Sequence, residues 1–84
     1  MYTLIVDCSN FILEHAVHII DEKGHSAGML HLTIDDVVKF VSQDSRITNV
    51  KLAGQTDYCY GVKENIEKQL ATEYAINNVK VEVL

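Results

Sequence analysis

The sequence lacks proline, long apolar runs and any clear break in composition. No proline occurs among its 84 residues, and no glycine-rich or serine-rich stretch separates one part of the chain from another. No linker is therefore indicated, and a chain of this length usually forms one domain. We expect a single compact domain over residues 1–84. Apolar runs such as residues 4–6 are too short to cross a bilayer, so we expect no membrane association.

Basic residues are also few, and they are scattered singly. Seven Lys and Arg residues stand against twelve Asp and Glu residues, which gives a formal net charge of -5. Nucleic-acid binding takes its energy from several phosphates that are neutralised together by a basic surface. The sequence indicates no such surface, so we expect no direct binding of DNA or RNA. An acidic chain of this kind is still compatible with a basic protein partner.

Cysteine is scarce, since only Cys8 and Cys59 occur. Neither belongs to a CxxC pair, and the chain does not open with a secretory signal pattern. We therefore expect a cytoplasmic protein whose thiols are reduced. Each cysteine is expected to be a small buried apolar residue, because no glycine-rich oxyanion turn accompanies either one as a nucleophile.

Three strand-like stretches open the chain. Residues 2–8 contain consecutive apolar side chains, which is typical of a strand with both faces covered, so this strand is expected to be central. Residues 12–20 and 26–32 flank a polar turn that contains Gly24. Two strands joined by such a turn form a hairpin.

A helical period follows the hairpin. Thr33 is a good N-cap with Asp36 three residues further on, and the apolar spacing predicts a helix that ends near residues 42–45. Residues 46–53 then predict a fourth strand, in which apolar residues recur.

A second amphipathic helix and a last strand complete the chain. Thr56 or Asp57 is expected to cap the start of this helix, and Asn77 or Asn78 is expected to form a left-handed C-cap. Residues 79–84 alternate apolar and polar side chains, which predicts a strand at a sheet edge.

The element order β-β-β-α-β-α-β constrains the fold. A hairpin pairs its strands antiparallel, whereas a helix between two strands implies a right-handed parallel crossover. The first strand satisfies both conditions only when it lies between its two kinds of neighbour. We therefore predict an α/β fold with a single five-stranded mixed sheet in the order 3-2-1-4-5. This order of elements resembles the core of the ribonuclease H-like superfold.

The resemblance implies an alternative function as a metal-dependent nuclease. Asp7, in the run of residues 4–10, takes the place of the acid that ends the first strand in those nucleases. Asp36 or its neighbour Asp35 matches the acid on the first helix, and Asp57 lies just after the fourth strand, where a third acid is found. Such carboxylates would bind Mg²⁺ or Mn²⁺. The same aspartates also fit as turn and helix-cap residues, and the fourth strand itself ends without an acid.

Histidines give a second alternative for a metal site. His15, His18, His25 and His31 are many for a short chain. His18 and His31 face each other across the predicted hairpin, and with Asp7 they form an alternative ligand set. The other interpretation is that they are surface or cross-strand histidines without a metal.

The string of residues 57–61 is the most distinctive local pattern. It lies between a parallel strand and a helix, where α/β proteins commonly bind ligands. Tyr58, Tyr60 and Gly61 are the candidate interaction residues, because tyrosine is enriched at the hot spots of protein interfaces. Local packing at the helix start explains the same residues equally well.

A shortage of helices indicates the function that we expect. Two helices cover one face of a five-stranded sheet, or both faces thinly, and Ile5, Ile20 and Leu84 add apolar groups where cover is missing. Exposed apolar patches commonly mark interfaces. We expect a protein-binding or adaptor module without enzymatic activity or cofactor, which binds a protein partner or a second copy of itself as a homodimer. A compact acidic domain of this kind suits a phage or mobile-element accessory protein.

Overall fold

The structure is a computed structural model, and it describes residues 1–8, 13–54 and 56–84. Its elements follow the predicted order. In sequence they are β1 (Tyr2–Asp7), β2 (His15–Ile20), β3 (Ser26–Leu32), α1 (Ile34–Gln43), β4 (Ile47–Ala53), α2 (Asp57–Tyr74) and β5 (Lys80–Val83).

The strands form one mixed sheet in the order β3-β2-β1-β4-β5, which confirms the predicted fold class. Strand β1 lies in the middle, antiparallel to β2 and parallel to β4. Leu4 and Val6 of this strand are fully buried, and its predicted central place is confirmed. Ile5 lies on the other face, on which no described helix packs, so the expectation that both faces of β1 are covered is wrong. The order agrees with that of the ribonuclease H-like core, and membership of that superfold stays a prediction.

Both helices lie on the same face of the sheet, where they contact each other. Their crossovers, from β3 to β4 and from β4 to β5, advance in one direction across the sheet. Because parallel crossovers are right-handed, two crossovers in the same direction place their helices on the same side. The apolar core therefore fills the space between this face and the helices, and its largest fully buried apolar side chains are those of Leu4, Leu52, Ile66 and Leu70.

Threonine side chains cap the starts of both helices. The hydroxyl oxygen of Thr33 accepts a hydrogen bond from the backbone N–H of Asp36 at 3.1 Å. The hydroxyl oxygen of Thr56 accepts one from the backbone N–H of Cys59 at 3.3 Å. Each hydroxyl satisfies a backbone donor that has no partner within its helix, and both caps agree with the sequence analysis.

The hairpin differs from its predicted limits at one end. Strand β1 ends at Asp7, and β2 begins at His15 instead of residue 12. Residue 12 lies outside the described residues. Leu13 forms a bend with Glu14, and the Leu13 side chain is 84% exposed, so the alternating burial of β2 starts only at His15.

The predicted C-cap of α2 is wrong by two or three residues. The helix ends at Tyr74, and Ala75 adopts the left-handed conformation with φ of 53°. The backbone N–H of Ile76 then donates to the carbonyl oxygen of Leu70 at 2.9 Å. Ile76 packs against the core, so the chain turns where an apolar side chain can be buried rather than where an asparagine occurs.

We predict that Ala75→Gly stabilises the protein by about 1 kcal/mol, because an alanine side chain is strained in the left-handed region and glycine is not. Urea unfolding of both chains measures the difference. Ala71→Gly, within the same helix, is the matched control and should destabilise by about 1 kcal/mol. A loss of stability in both variants would show that the helix does not end in this way.

Candidate functional site

The face of the sheet that points away from the helices is the candidate site. No helix or strand among residues 1–8, 13–54 and 56–84 packs on it, and we call it the uncovered face. Its side chains occupy alternate positions of all five strands. In strand order they are Thr3, Ile5, Asp7, Ala16, His18, Ile20, Ser26, Met29, His31, Asn49, Lys51, Ala53, Lys80 and Glu82.

The hairpin half of the uncovered face contains most of its apolar side chains. Ile5 lies opposite His18, which in turn lies opposite Met29 on β3. Ile20 lies opposite Thr3 on β1, so it is a diagonal neighbour of Ile5. The two isoleucines are half-buried, and Met29 is 51% exposed. Ile5 and Ile20 therefore lie where helical cover is missing, as predicted. Leu84, the third residue of that prediction, follows the end of β5 and is 49% exposed.

The other half of the uncovered face is charged. Lys51 and Lys80 both approach the carboxylate of Glu82, with N–O distances of 4.0 Å and 3.6 Å. All three side chains are substantially exposed, so these ion pairs contribute little to stability. Most apolar side chains of the uncovered face therefore lie on one half, whereas Lys51, Lys80 and Glu82 lie on the other.

The alternative metal ligands Asp7, His18 and His31 share the uncovered face but do not converge. His31 pairs with Ala16 and His18 with Met29, so the two histidines are diagonal neighbours at about 7–8 Å. Asp7 lies two strands from β3, at about 10 Å. Within the described ranges, no three His, Cys, Asp or Glu side chains are placed to hold a metal ion.

The nuclease alternative needs the carboxylates of Asp7, Asp36 and Asp57 close together, and the fold places Asp36 away from the other two. Asp57 lies near Asp7, because the strand that holds Asp7 and the helix that begins at Asp57 meet at one edge of the sheet. The first turn of α1 instead lies beside the middle of α2, where Gln69 donates a hydrogen bond to the Asp35 carboxylate at 3.3 Å. Gln69 is twelve residues, or about 18 Å of helix, from Asp57.

The two cysteines form a disulfide. Their Cα atoms are 5.8 Å apart across a separation of 51 residues, and both side chains are fully buried. Burial agrees with the sequence analysis, whereas the expectation of reduced thiols is wrong for this structure. The end of β1 and the first turn of α2 meet at the carboxyl edge of the sheet. This contact brings Cys8 close enough to Cys59 for a disulfide. Disulfides persist mainly in oxidising compartments. The cytoplasmic location stays a prediction.

A buried histidine next to the disulfide links three elements. His15 is 1% exposed, and its Nδ1 atom donates to the backbone carbonyl oxygen of Asp7 at 3.0 Å. The carbonyl oxygen only accepts, so this nitrogen carries the proton. The other ring nitrogen, Nε2, then accepts from the hydroxyl of Tyr58 at 3.0 Å. The side chain of His15 therefore ties β2 to β1 and to α2.

Residues 57–61 lie in the first turns of α2, and the helix turns their side chains in different directions. Tyr58 points inward to His15, so it contributes to the structure of the core. Tyr60 is 56% exposed and Gly61 is exposed beside it. The alternation of β2 places His15 on the same face as Val17, which was a usable signal for its burial. Nothing in the sequence indicated Tyr58 as its partner.

The fold and the site together define a two-layer α/β domain with one uncovered sheet face. In the described part of the chain, no helix is long and apolar enough to span a membrane. A comparison with models of known protein families gives no match, and a comparison with curated proteins gives no significant match. The function is therefore argued from the geometry of the site.

Loss of the disulfide is predicted to lower the free energy of unfolding by about 4 kcal/mol, the chain-entropy value for a closed loop of about 50 residues. Urea unfolding with and without a reducing agent measures this difference. The Cys8→Ala, Cys59→Ala double variant is the control, and its stability should not respond to the reducing agent. A native chain that titrates with two free thiols after unfolding without reductant would contradict the disulfide.

Tyr58→Phe is predicted to destabilise the protein by about 1–3 kcal/mol, because it leaves the Nε2 atom of buried His15 without its donor. Tyr60→Phe removes the same hydroxyl group from an exposed tyrosine in the same helix turn, and it should change stability by less than about 0.5 kcal/mol. Thermal or urea unfolding compares the two variants. Equal effects would mean that the hydrogen bond to His15 contributes nothing.

Proposed function

We propose that the protein is a protein-binding module without catalytic activity of its own, and that its partner binds the hairpin half of the uncovered face. One observation supports this proposal above the others. Both helices cover the same side of the sheet, which leaves Ile5, Ile20 and Met29 on the other side without a described element over them. Apolar side chains grouped in this way commonly mark an interface.

The chemistry of the uncovered face favours a protein over a nucleic acid. Sheet surfaces that bind single-stranded nucleic acids use aromatic side chains for stacking and basic residues for the phosphates. Among the residues that the structure describes, the uncovered face has no Phe, Tyr or Trp, and both of its lysines, Lys51 and Lys80, pair with Glu82. The hairpin half instead groups Ile5, Ile20 and Met29 around His18, and this mixture of apolar and polar side chains suits a protein contact.

The other surfaces of the described chain are weaker candidates. An open groove of about 620 Å³ runs between α1 and α2, but it is lined by polar and charged residues such as Lys39, Lys68 and Glu73. A groove of this kind buries little apolar surface. Tyr60 and Gly61 are exposed on the helical layer, and their predicted role in an interaction stays a separate expectation.

The proposal is tested with the double variant Ile5→Thr, Ile20→Thr. Threonine keeps the β-branched shape that suits a strand while it removes apolar area from the centre of the face. An isoleucine side chain that is fully buried contributes roughly 1.5–3 kcal/mol, so the partner should bind the double variant at least about tenfold more weakly. Partners captured on the native chain are identified, purified and titrated against both chains by calorimetry.

Tyr60→Ser is the matched control, because it removes a large exposed apolar side chain from the opposite layer. Circular dichroism confirms that each variant is folded. We expect the control to bind the purified partner like the native chain. A partner that binds the double variant with unchanged affinity, or that is lost only with Tyr60→Ser, would overturn the assignment of the uncovered face.

A further inference from the structure

Strand β3 forms an unprotected edge of the sheet. No strand of the described ranges pairs with its outer side, and six of its seven residues are exposed. Its sequence, from Ser26 to Leu32, contains no Lys, Arg, Asp, Glu or Pro. Natural proteins place such residues on edge strands to prevent another strand from adding to the sheet. This edge carries none of them.

The opposite edge of the sheet is protected. Strand β5 has only four residues, and two of them, Lys80 and Glu82, are charged and form an ion pair at 3.6 Å. A short charged strand is a poor template for pairing. Each copy of the chain therefore has one edge without a charged residue or proline and one edge that is short and charged.

A bulge limits the part of β3 that is able to pair. Ile19 lies opposite Gly28, whereas Ile20 lies opposite Ser26, so Ala27 is an extra residue on β3. Such a bulge bends the strand and ends regular pairing at its position. The regular segment is then residues 28–32, and Leu30 is at its centre. Leu30 is 38% exposed.

We propose that β3 pairs antiparallel with β3 of a second copy of this chain, about a two-fold axis at Leu30. Leu30 then lies opposite Leu30 of the second copy, and Met29 lies opposite His31. The two sheets become one continuous sheet, and their uncovered faces lie side by side. The backbone N–H and C=O groups on the outer side of β3 gain partners, as they do within the sheet.

The features of β3 favour a second copy over a strand of another protein. Every copy presents the same edge, and the sequence places no charge or proline there to prevent self-pairing. The net charge of -5 on each chain opposes association in general, yet β3 brings no formal charge to the contact. Because β5 is protected, association stops at two chains, as the closed symmetry of a two-fold contact requires.

Sedimentation equilibrium tests the proposal on the full native chain. A single strand pair is a small interface, so we measure from about 5 to about 500 μM protein, where weak complexes form. The native chain should shift from its monomer mass of 9.5 kDa toward twice that value. Leu30→Lys places two like charges opposite each other at the axis and should raise the dissociation constant at least about tenfold.

Disulfide cross-linking tests the register and does not depend on the stability of the lysine variant. Opposite Cα atoms of antiparallel strands lie about 4.5–5.5 Å apart, within reach of a disulfide, so Leu30→Cys should cross-link into a dimer under mild oxidation. Ser26→Cys is the matched control on the same strand. In the proposed register the two copies of residue 26 are about 27 Å apart, so they should form dimers only at the slow rate of random collision.

The outcomes separate this proposal from the proposed function. A chain that stays monomeric at the highest concentration, or that cross-links no faster through Leu30→Cys than through Ser26→Cys, overturns the β3 pairing. The Ile5→Thr, Ile20→Thr variant should still dimerise, because neither residue lies on β3. If dimerisation is lost in that variant and kept in Leu30→Lys, the copies meet through their uncovered faces and the edge proposal is wrong.

Discussion

The whole arrangement depends on the burial of β1 between two different neighbours. Its backbone bonds antiparallel to β2 and parallel to β4, while Leu4 and Val6 are fully buried beneath the helices. A strand with neighbours on both sides satisfies all its backbone groups within the sheet, which buried backbone requires. With β1 in this position, the hairpin extends the sheet on one side and the crossovers extend it on the other.

One-sided helical cover follows from that topology. The two crossovers advance in the same direction and have the same hand, so α1 and α2 pack on the same face. The other face retains Ile5, Ile20 and Met29, and β3 is left as an edge without charge or proline. The proposed binding face and the proposed pairing edge therefore both come from strand order and handedness, and neither depends on a sequence motif.

Part of the candidate site was readable from the sequence. The positions of Ile5 and Ile20 on the uncovered face follow from alternation along strands whose order was already constrained. The acidic residues were different, because Asp36 and Asp57 open two helices whose relative position depends on how α1 and α2 pack. Residues 57–61 also have different environments, because the helix turns Tyr58 toward His15 and leaves Tyr60 exposed.

The sequence by itself determined the order of elements, the cap of α1 at Thr33 and the central place of β1, and it left the cap of α2 open between Thr56 and Asp57. These features depend on the spacing of residues that are close in sequence and on the general right-handedness of parallel crossovers. Only the tertiary structure decided the disulfide, the hydrogen bonds of His15 and the end of α2 at Ala75. The disulfide and the hydrogen bond from Tyr58 to His15 join residues 51 and 43 positions apart. The end of α2 depends on burying Ile76 in a core that forms only when the helix packs on the sheet.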